Sequence, residues 1–278
     1  MSDISKPEDR RLNLLQEMGI GPVWVRRDGL TAGIVQSVVP ESSVGSMLAS
    51  ANLQLPPADQ HAETASATTS FEPAAGQSDA EIARMDWHAL QAAVAGCTRC
   101  HLCTSRRHTV FGTGDQSARW MLIGEGPGRN EDQQGEPFVG PAGKLLDNML
   151  QAIDLRRGEN NFIANVVKCR PIDDKGVDRA PTPEEAAACR PYLDRQIALV
   201  RPTTILALGK VAALSLLGGD PKVSVAALRG TVHRHNDIPL IVTYHPAYLL
   251  RKPLDKAKSW QDLCLARGAT NSARPLVD

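Results

Sequence analysis

The sequence predicts an α/β fold in which helices cover both faces of a mostly parallel sheet, and three observations carry that prediction. Short apolar runs at 120–123, 162–167 and 204–208 read as buried strands. Amphipathic or capped segments at 142–155, 182–200 and 210–217 follow them in turn, and a glycine or a polar loop separates each strand from its helix. Strand, loop and helix alternate, as parallel strands joined by crossovers require.

Taken in order, residues 79–96 read as one capped amphipathic helix with Ile82, Met85, Leu90 and Val94 on its apolar face, and it leads directly to Cys97, Cys100 and Cys103. Trp120 to Ile123 is a strand that stops at Gly124. The stretch from Gly124 to Asp147, GEGPGRNEDQQGEPFVGPAGKLLD, is the one around which the rest is arranged. A glycine-rich turn at the carboxyl end of a strand presents backbone N–H groups to an anionic or planar ligand. It is no triphosphate loop, because no GxGxxG leads into a helix and no Lys-Ser or Lys-Thr stands at the phosphate-loop spacing.

A helix over Ala142 to Leu155 and a second strand over Phe162 to Val167 come next, then Cys169 and the proline-bounded loop PIDDKGVDRAP. Thr182 opens a helix whose Glu184 and Glu185 complement the positive end of its dipole, and it runs through Cys189 to about Val200. Thr204 to Leu208 is a third strand, with a helix over 210–217 behind it. Arg229 to His235 and Leu240 to Thr243 read as a strand pair, the second running into YHPAYLLR before a closing helix over 256–267.

The hydrophobic fraction of 42% supports a substantial core, and the net charge is zero. That zero hides an asymmetry: residues 1–96 carry 6 Lys and Arg against 12 Asp and Glu, whereas residues 97–278 carry 25 against 19. A basic module behind an acidic leader is compatible with a phosphate-backbone partner. No apolar run is long enough to span a bilayer and the first residues lack the apolar core of a secretory signal, so a cytoplasmic protein without a membrane partner is expected. From about Gly29 to Ala80 the chain is rich in Ala, Ser, Thr, Pro and Gln with Phe71 as its one aromatic residue, which reads as a disordered linker. The expected organisation is a leader at 1–28, the linker at 29–78, a folded domain at 79–270 and a tail at 271–278.

In a reducing compartment the close cysteines point to a metal or cluster rather than to disulfides. Cys97, Cys100 and Cys103 stand at two-residue gaps, and 19 residues separate Cys169 from Cys189. Two thiolates from one turn and two from a distant loop and helix close a four-thiolate site, and both zinc and an iron–sulfur cluster accept that arrangement. Cys264 reads as an ordinary helix residue.

With these motifs placed, the chain from about Cys97 to Arg267 resembles the family-4 uracil-DNA glycosylases, the iron–sulfur branch of that superfamily. CTRC, GEGPG followed by ED and GEPFVGPAGKLLD, NVVKCRP, CRPYL and HPAYLLR occur in the family's order. The resemblance implies a three-layer sandwich with a mostly parallel four-stranded sheet between helices. It implies further that Cys97, Cys100, Cys169 and Cys189 hold a [4Fe–4S] cluster, Cys103 falling at a variable position. Gly124, Glu125 and Gly126 then line the uracil pocket and the site of the attacking water. Phe138 matches the aromatic that stacks on the flipped base, Asn165 the amide that reads the uracil edge, and His245 the histidine at uracil O2. Glu131 matches an acidic position implicated in catalysis.

The better-known uracil glycosylases carry an aspartate where this chain has Gly126, which leaves Glu125, Glu131, a backbone carbonyl or unassisted capture for the water. A relative that traps uracil covalently does so through a histidine on a KRRIH-type loop; PIDDKGVDRAP has none, so hydrolytic turnover is expected. The implied partner is uracil-containing DNA, single- or double-stranded, bound by a monomer in the bacterial nucleoid. Residues 9–27, with Leu12, Leu15 and Met18 near helical spacing and then Val23-Trp24-Val25, are similar to the N-terminal peptide of the psi subunit of the bacterial replicative clamp loader. That likeness implies a clamp-loader contact. The competing readings are a non-catalytic nucleic-acid-binding module and a zinc-stabilised adaptor docked to replication machinery.

Overall fold

The computed structural model describes residues 77–272. The leader, the segment 9–27, the linker up to residue 76 and the tail from residue 273 lie outside the described residues. Ser78 caps α1 (Asp79–Ile82) through a reciprocal box with Glu81, and Asp86 caps α2 (Trp87–Ala95) by accepting the Ala89 N–H. The single helix expected over 79–96 is therefore two. Asp86 is extended and its carboxylate takes an N–H at the start of a new helix, while Arg195 Nε donates to the freed Met85 carbonyl at 2.6 Å.

A short 3₁₀ turn at His101–Thr104 leads to β1 (Thr113–Gly114) and β2 (Trp120–Gly124), then α3 (Arg129–Gln134) and α4 (Pro141–Gln151). There follow β3 (Asn161–Asn165), α5 (Pro183–Val200), β4 (Thr204–Leu208), α6 (Lys210–Leu217) and α7 (Val225–Leu228). The chain closes with β5 (Val232–His235), β6 (Ile238–Thr243), α8 (Pro246–Arg251), a 3₁₀ turn at Pro253–Asp255 and α9 (Lys256–Ser272).

The strands form one sheet in the order β1-β3-β2-β4-β6-β5. The expected four strands are its parallel centre, and the count rises to six because antiparallel β1 and β5 close the two edges. Two-residue β1 is too short to show any hydrophobic period. β5 and β6 form a hairpin across Asn236 and Asp237, both at positive φ, the conformation a tight two-residue turn demands.

Every residue of β2, β3 and β4 is buried, which explains why each reads as an unbroken apolar run rather than an alternation. Alternate side chains still serve opposite layers. Met121, Ile123, Phe162, Ile205 and Val242 pack with Leu90, Val94, Tyr192, Leu193 and Ala213. Leu122, Ile163, Leu206 and Ile241 pack with Leu146, Met149, Leu249 and Leu263 on the other face. The result is the three-layer sandwich.

Parallel strands bring their carboxyl ends to one edge. Gly124 of β2 pairs with Asn165 of β3, and Leu208 of β4 pairs with Thr243 of β6, two residues before His245. Among the described residues no helix is long and apolar enough to cross a membrane.

Candidate active site and cysteine hollow

A cleft of about 510 Å³ opens at this edge, lined by Glu125, Gly126, Phe138, Asn165 and His245 together with the loop around Arg179. Its floor depends on Gly124. A Cβ there would collide with Asn165 Oδ1 and lie 2.6 Å from Phe138 Cζ, so the absence of a side chain is what lets amide and ring converge. Asn165 is 2% exposed, and its Oδ1 has no hydrogen-bond partner among the described residues. A buried, unpartnered amide oxygen facing a cleft is costly without a ligand and fits one that brings a donor.

Phe138 sits in the left-handed region at φ +56 and stacks on the His245 ring, with centroids 5.6 Å apart and planes at 29°. His245 caps α8: the Ala247 N–H donates to its Nδ1 at 3.2 Å. A backbone N–H can only donate, so Nδ1 accepts and the neutral ring carries its proton on Nε2. Burial, reinforced by the positive charge of Arg251, lowers the His245 pKa to about 4. The imidazole is thus neutral at physiological pH and still a donor.

The two carboxylates part company. Glu131 commits both oxygens to backbone: Oε1 accepts from the Val139 and Gly140 N–H groups at 2.9 and 3.0 Å, and Oε2 from Gly128 at 3.2 Å. Glu125 lines the cleft with no such ties, and burial raises its pKa. Opposite, the loop holding Asp178, Arg179 and Ala180 forms a wall. Arg179 clamps Glu185 of α5 through contacts of 2.6 and 2.8 Å, and Arg170 pairs with Asp178 at 2.5 Å.

Behind β3, Cys97, Cys100, Cys103, Cys169 and Cys189 line one hollow, and all are free thiols. Donors surround the sulfurs: Arg106 Nη1 to Cys169 at 3.3 Å, the Lys168 N–H to Cys189 at 3.3 Å and the Arg99 N–H to Cys97 at 3.5 Å. Burial pushes the Cys169 thiol up to about 11 and the Cys189 thiol up to about 12, and burial brings Lys168 down to about 8 against the opposing pull of these two sulfurs. Among the described residues no three His, Cys, Asp or Glu side chains converge on a single ion position. The soft donor set, spread around a hollow and ringed by N–H groups, fits a polynuclear thiolate-ligated group that replaces the thiol protons.

The family model of the Uracil DNA glycosylase superfamily matches residues 111–265, more than half of the chain. A type-4 uracil-DNA glycosylase of Pyrobaculum aerophilum is 38% identical over 190 residues, covering 66% of this chain and 94% of the relative. The chain belongs to the uracil DNA glycosylase superfamily, in its type-4 branch. The type-4 uracil-DNA glycosylases of Thermotoga maritima and Archaeoglobus fulgidus are 42% and 40% identical, over 60% and 58% of this chain and 90% and 81% of their own lengths.

In this glycosylase Glu125, Gly126, Phe138, Asn165 and His245 meet at one cleft, Gly124 lies beneath it against Asn165 and Phe138, and Cys97, Cys100, Cys169 and Cys189 meet at one hollow together with Cys103. Glu131 reaches the cleft but is tied to its loop. Sequence reasoning missed Arg179 and Arg251 as cleft residues. Arg251 ends the HPAYLLR motif and was legible there; Arg179 lies in a loop with no periodicity, and only its clamp to Glu185 reveals it.

Proposed function

We infer that this protein is a uracil-DNA glycosylase, hydrolysing the N-glycosidic bond of deoxyuridine in DNA at the first step of base-excision repair. The observation that carries this reading is the unpartnered Asn165 Oδ1, buried beside an aromatic ring and a neutral imidazole donor in one cleft.

The base must leave the helical stack to reach such a cleft, at a cost of a few kcal/mol that stacking and edge hydrogen bonds offset. Phe138 supplies the stacking face. The Asn165 amide offers an acceptor to uracil N3–H and a donor to O4; cytosine would oppose donor to donor and leave buried groups unpaired. As the bond from C1′ to uracil N1 breaks, its electron pair passes to the base, and His245 Nε2–H donates to O2, where the negative charge gathers. A preorganised donor of this kind contributes about 3–4 kcal/mol when measured by removal. Water adds to C1′, and the proton it gives up ends on the departing uracil anion, leaving neutral uracil and an abasic sugar. We assign the orientation of the water to Glu125, whose carboxylate is not tied to backbone, and assign Glu131 to holding the loop.

Cys97, Cys100, Cys169 and Cys189 would hold a [4Fe–4S] cluster, with Arg106 and the Lys168 N–H donating to the Cys169 and Cys189 sulfurs. When bound, it cross-links the turn after α2, the segment after β3 and α5. The segment at 9–27 would contact the replicative clamp loader, joined by the linker at 29–78 to a monomeric catalytic domain at 79–270.

The decisive test is cleavage of a uracil-containing oligonucleotide, with thymine and cytosine controls, by the full chain and by Asn165→Ala and His245→Ala. Abasic sites formed at uracil alone, and lost in both variants, are expected. A wild type that binds DNA without cleaving it would make this a binding module instead.

A further inference from the structure

Phe138 is an aromatic residue at φ +56, a backbone conformation that bulky side chains seldom adopt and that persists only when surrounding contacts over-determine it. Three contacts do so. The guanidinium of Arg157 donates to two consecutive carbonyls, Nη1 to Pro137 at 3.1 Å and Nη2 to Phe138 at 2.9 Å, while its Nε donates to Asp147 of α4 at 2.7 Å. Following in the chain, the Val139 and Gly140 N–H groups both donate to Glu131. Gly143, in the first turn of α4, lies so close that a Cβ there would overlap the Phe138 carbonyl. The peptide bearing the ring is gripped by its carbonyls, its following N–H groups and a helix backbone.

We propose that Arg157, anchored by Asp147, is a positioning residue for glycosidic cleavage: it holds Phe138 in the left-handed conformation that turns its ring toward Gly124 and His245. The proposal rests on the reading of Phe138 as the stacking aromatic. Arg157 does not line the cleft, and it precedes NVVKCRP in a turn that no motif covers. Its planar fork is suited to this task because one rigid group reaches both carbonyls and the carboxylate. A lysine ammonium, as a single point of donation, cannot span all three. Release of the carbonyls lets φ relax to negative values and swings the ring off the cleft floor. Stacking geometry, not the chemistry at C1′, is what Arg157 controls.

The test is a double-mutant cycle on the full chain with uracil-containing single-stranded oligonucleotide, reading kcat, KM and Tm for wild type, Arg157→Met, Phe138→Ala and the double variant. Arg157→Met is expected to lower kcat/KM by about 10- to 100-fold, the scale of a misplaced catalytic surface. In the Phe138→Ala background the same change is expected to add less than about twofold, because the residue through which it acts is gone. Full additivity would overturn the positioning role and leave the glycosylase reading untouched. Wild-type activity in Phe138→Ala would overturn the stacking reading, and this proposal with it; wild-type activity in Arg157→Met would overturn the proposal alone. Should Arg157→Met not fold, Arg157→Lys and Asp147→Asn carry the same cycle with the same criteria.

Discussion

Phe138 and His245 stand 107 residues apart in the chain, yet their rings stack at 5.6 Å with planes 29° apart. One precedes α4 and the other caps α8, so the contact joins the loops that follow β2 and β6 and fixes the aromatic face relative to the imidazole donor.

His245→Ala should reduce kcat by about 10²–10³-fold with little change in KM, since a donor aimed at developing charge acts mainly in the transition state. Single-turnover cleavage checks this. An equal rise in KM with kcat unchanged would instead mark His245 as a binding group.

The pH dependence follows from a His245 pKa lowered to about 4 by burial. Its ionisation should leave no inflection in kcat/KM near pH 6.5, the ordinary histidine value, and should break the Ala247 N–H bond to Nδ1, by placing a proton on that nitrogen, only as pH nears 4. The sign for stability is that of a depressed group. Above about pH 6.5 the ring is neutral folded or unfolded; between 6.5 and 4 only the unfolded chain gains the proton, so His245 makes stability fall as pH falls through that window. Comparing acid unfolding of wild type and His245→Ala isolates the contribution.

Asn165→Ala should erode selectivity more than folding. It removes both edge contacts and also the unpartnered Oδ1, and each pairing left unmade to uracil is worth about 1–3 kcal/mol. The ratio of uracil to cytosine cleavage, measured on otherwise identical strands, should drop by at least about tenfold, because the amide reads the N3 and C4 edge that separates these two bases. An unchanged ratio would place uracil recognition elsewhere.

Gly124→Ala should damage both activity and stability, because its methyl group meets Asn165 Oδ1 and Phe138 Cζ on a strand with no free space. Overpacking of this kind costs about 1–3 kcal/mol. A lower Tm with a loss of uracil cleavage is expected, whereas a fully active Gly124→Ala enzyme would show that ring and amide do not share the floor.

For the cysteine hollow, Cys189→Ala and Cys97→Ala should lose the broad absorbance near about 400 nm of thiolate-ligated iron and melt at lower temperature, while Cys103→Ala should keep both. A colourless, stable and active Cys97→Ala protein would rule out the structural cluster.

Much of the fold was legible because its central strands are buried on both faces. Runs such as Trp120 to Ile123 and Thr204 to Leu208 need no partner to be recognised, and Thr182 with Glu185 announces α5. What escaped was set by pairing or by caps. β1 exists only because β3 offers an edge, and Asp86 splits one amphipathic pattern into two helices by competing for backbone N–H groups. The cleft residues could be named from motifs, but their division of labour could not. Glu125 follows β2 and Glu131 lies six residues on, in the first turn of α3; hydrogen bonds from Gly128, Val139 and Gly140 tie down the second and leave the first.

By itself, the sequence determined the layer architecture, the strand ends that carry the cleft and a cluster of close cysteines, because these follow from apolar periodicity and from residue types at fixed spacing, while the choice of four of those cysteines came from the family resemblance. Only the tertiary structure decided that His245 is neutral with its proton on Nε2, that Asn165 Oδ1 is unpartnered and that Arg157 holds Phe138 at positive φ. Those properties arise from burial and from hydrogen bonds between elements far apart in the chain, and no local pattern encodes which donor will meet which acceptor.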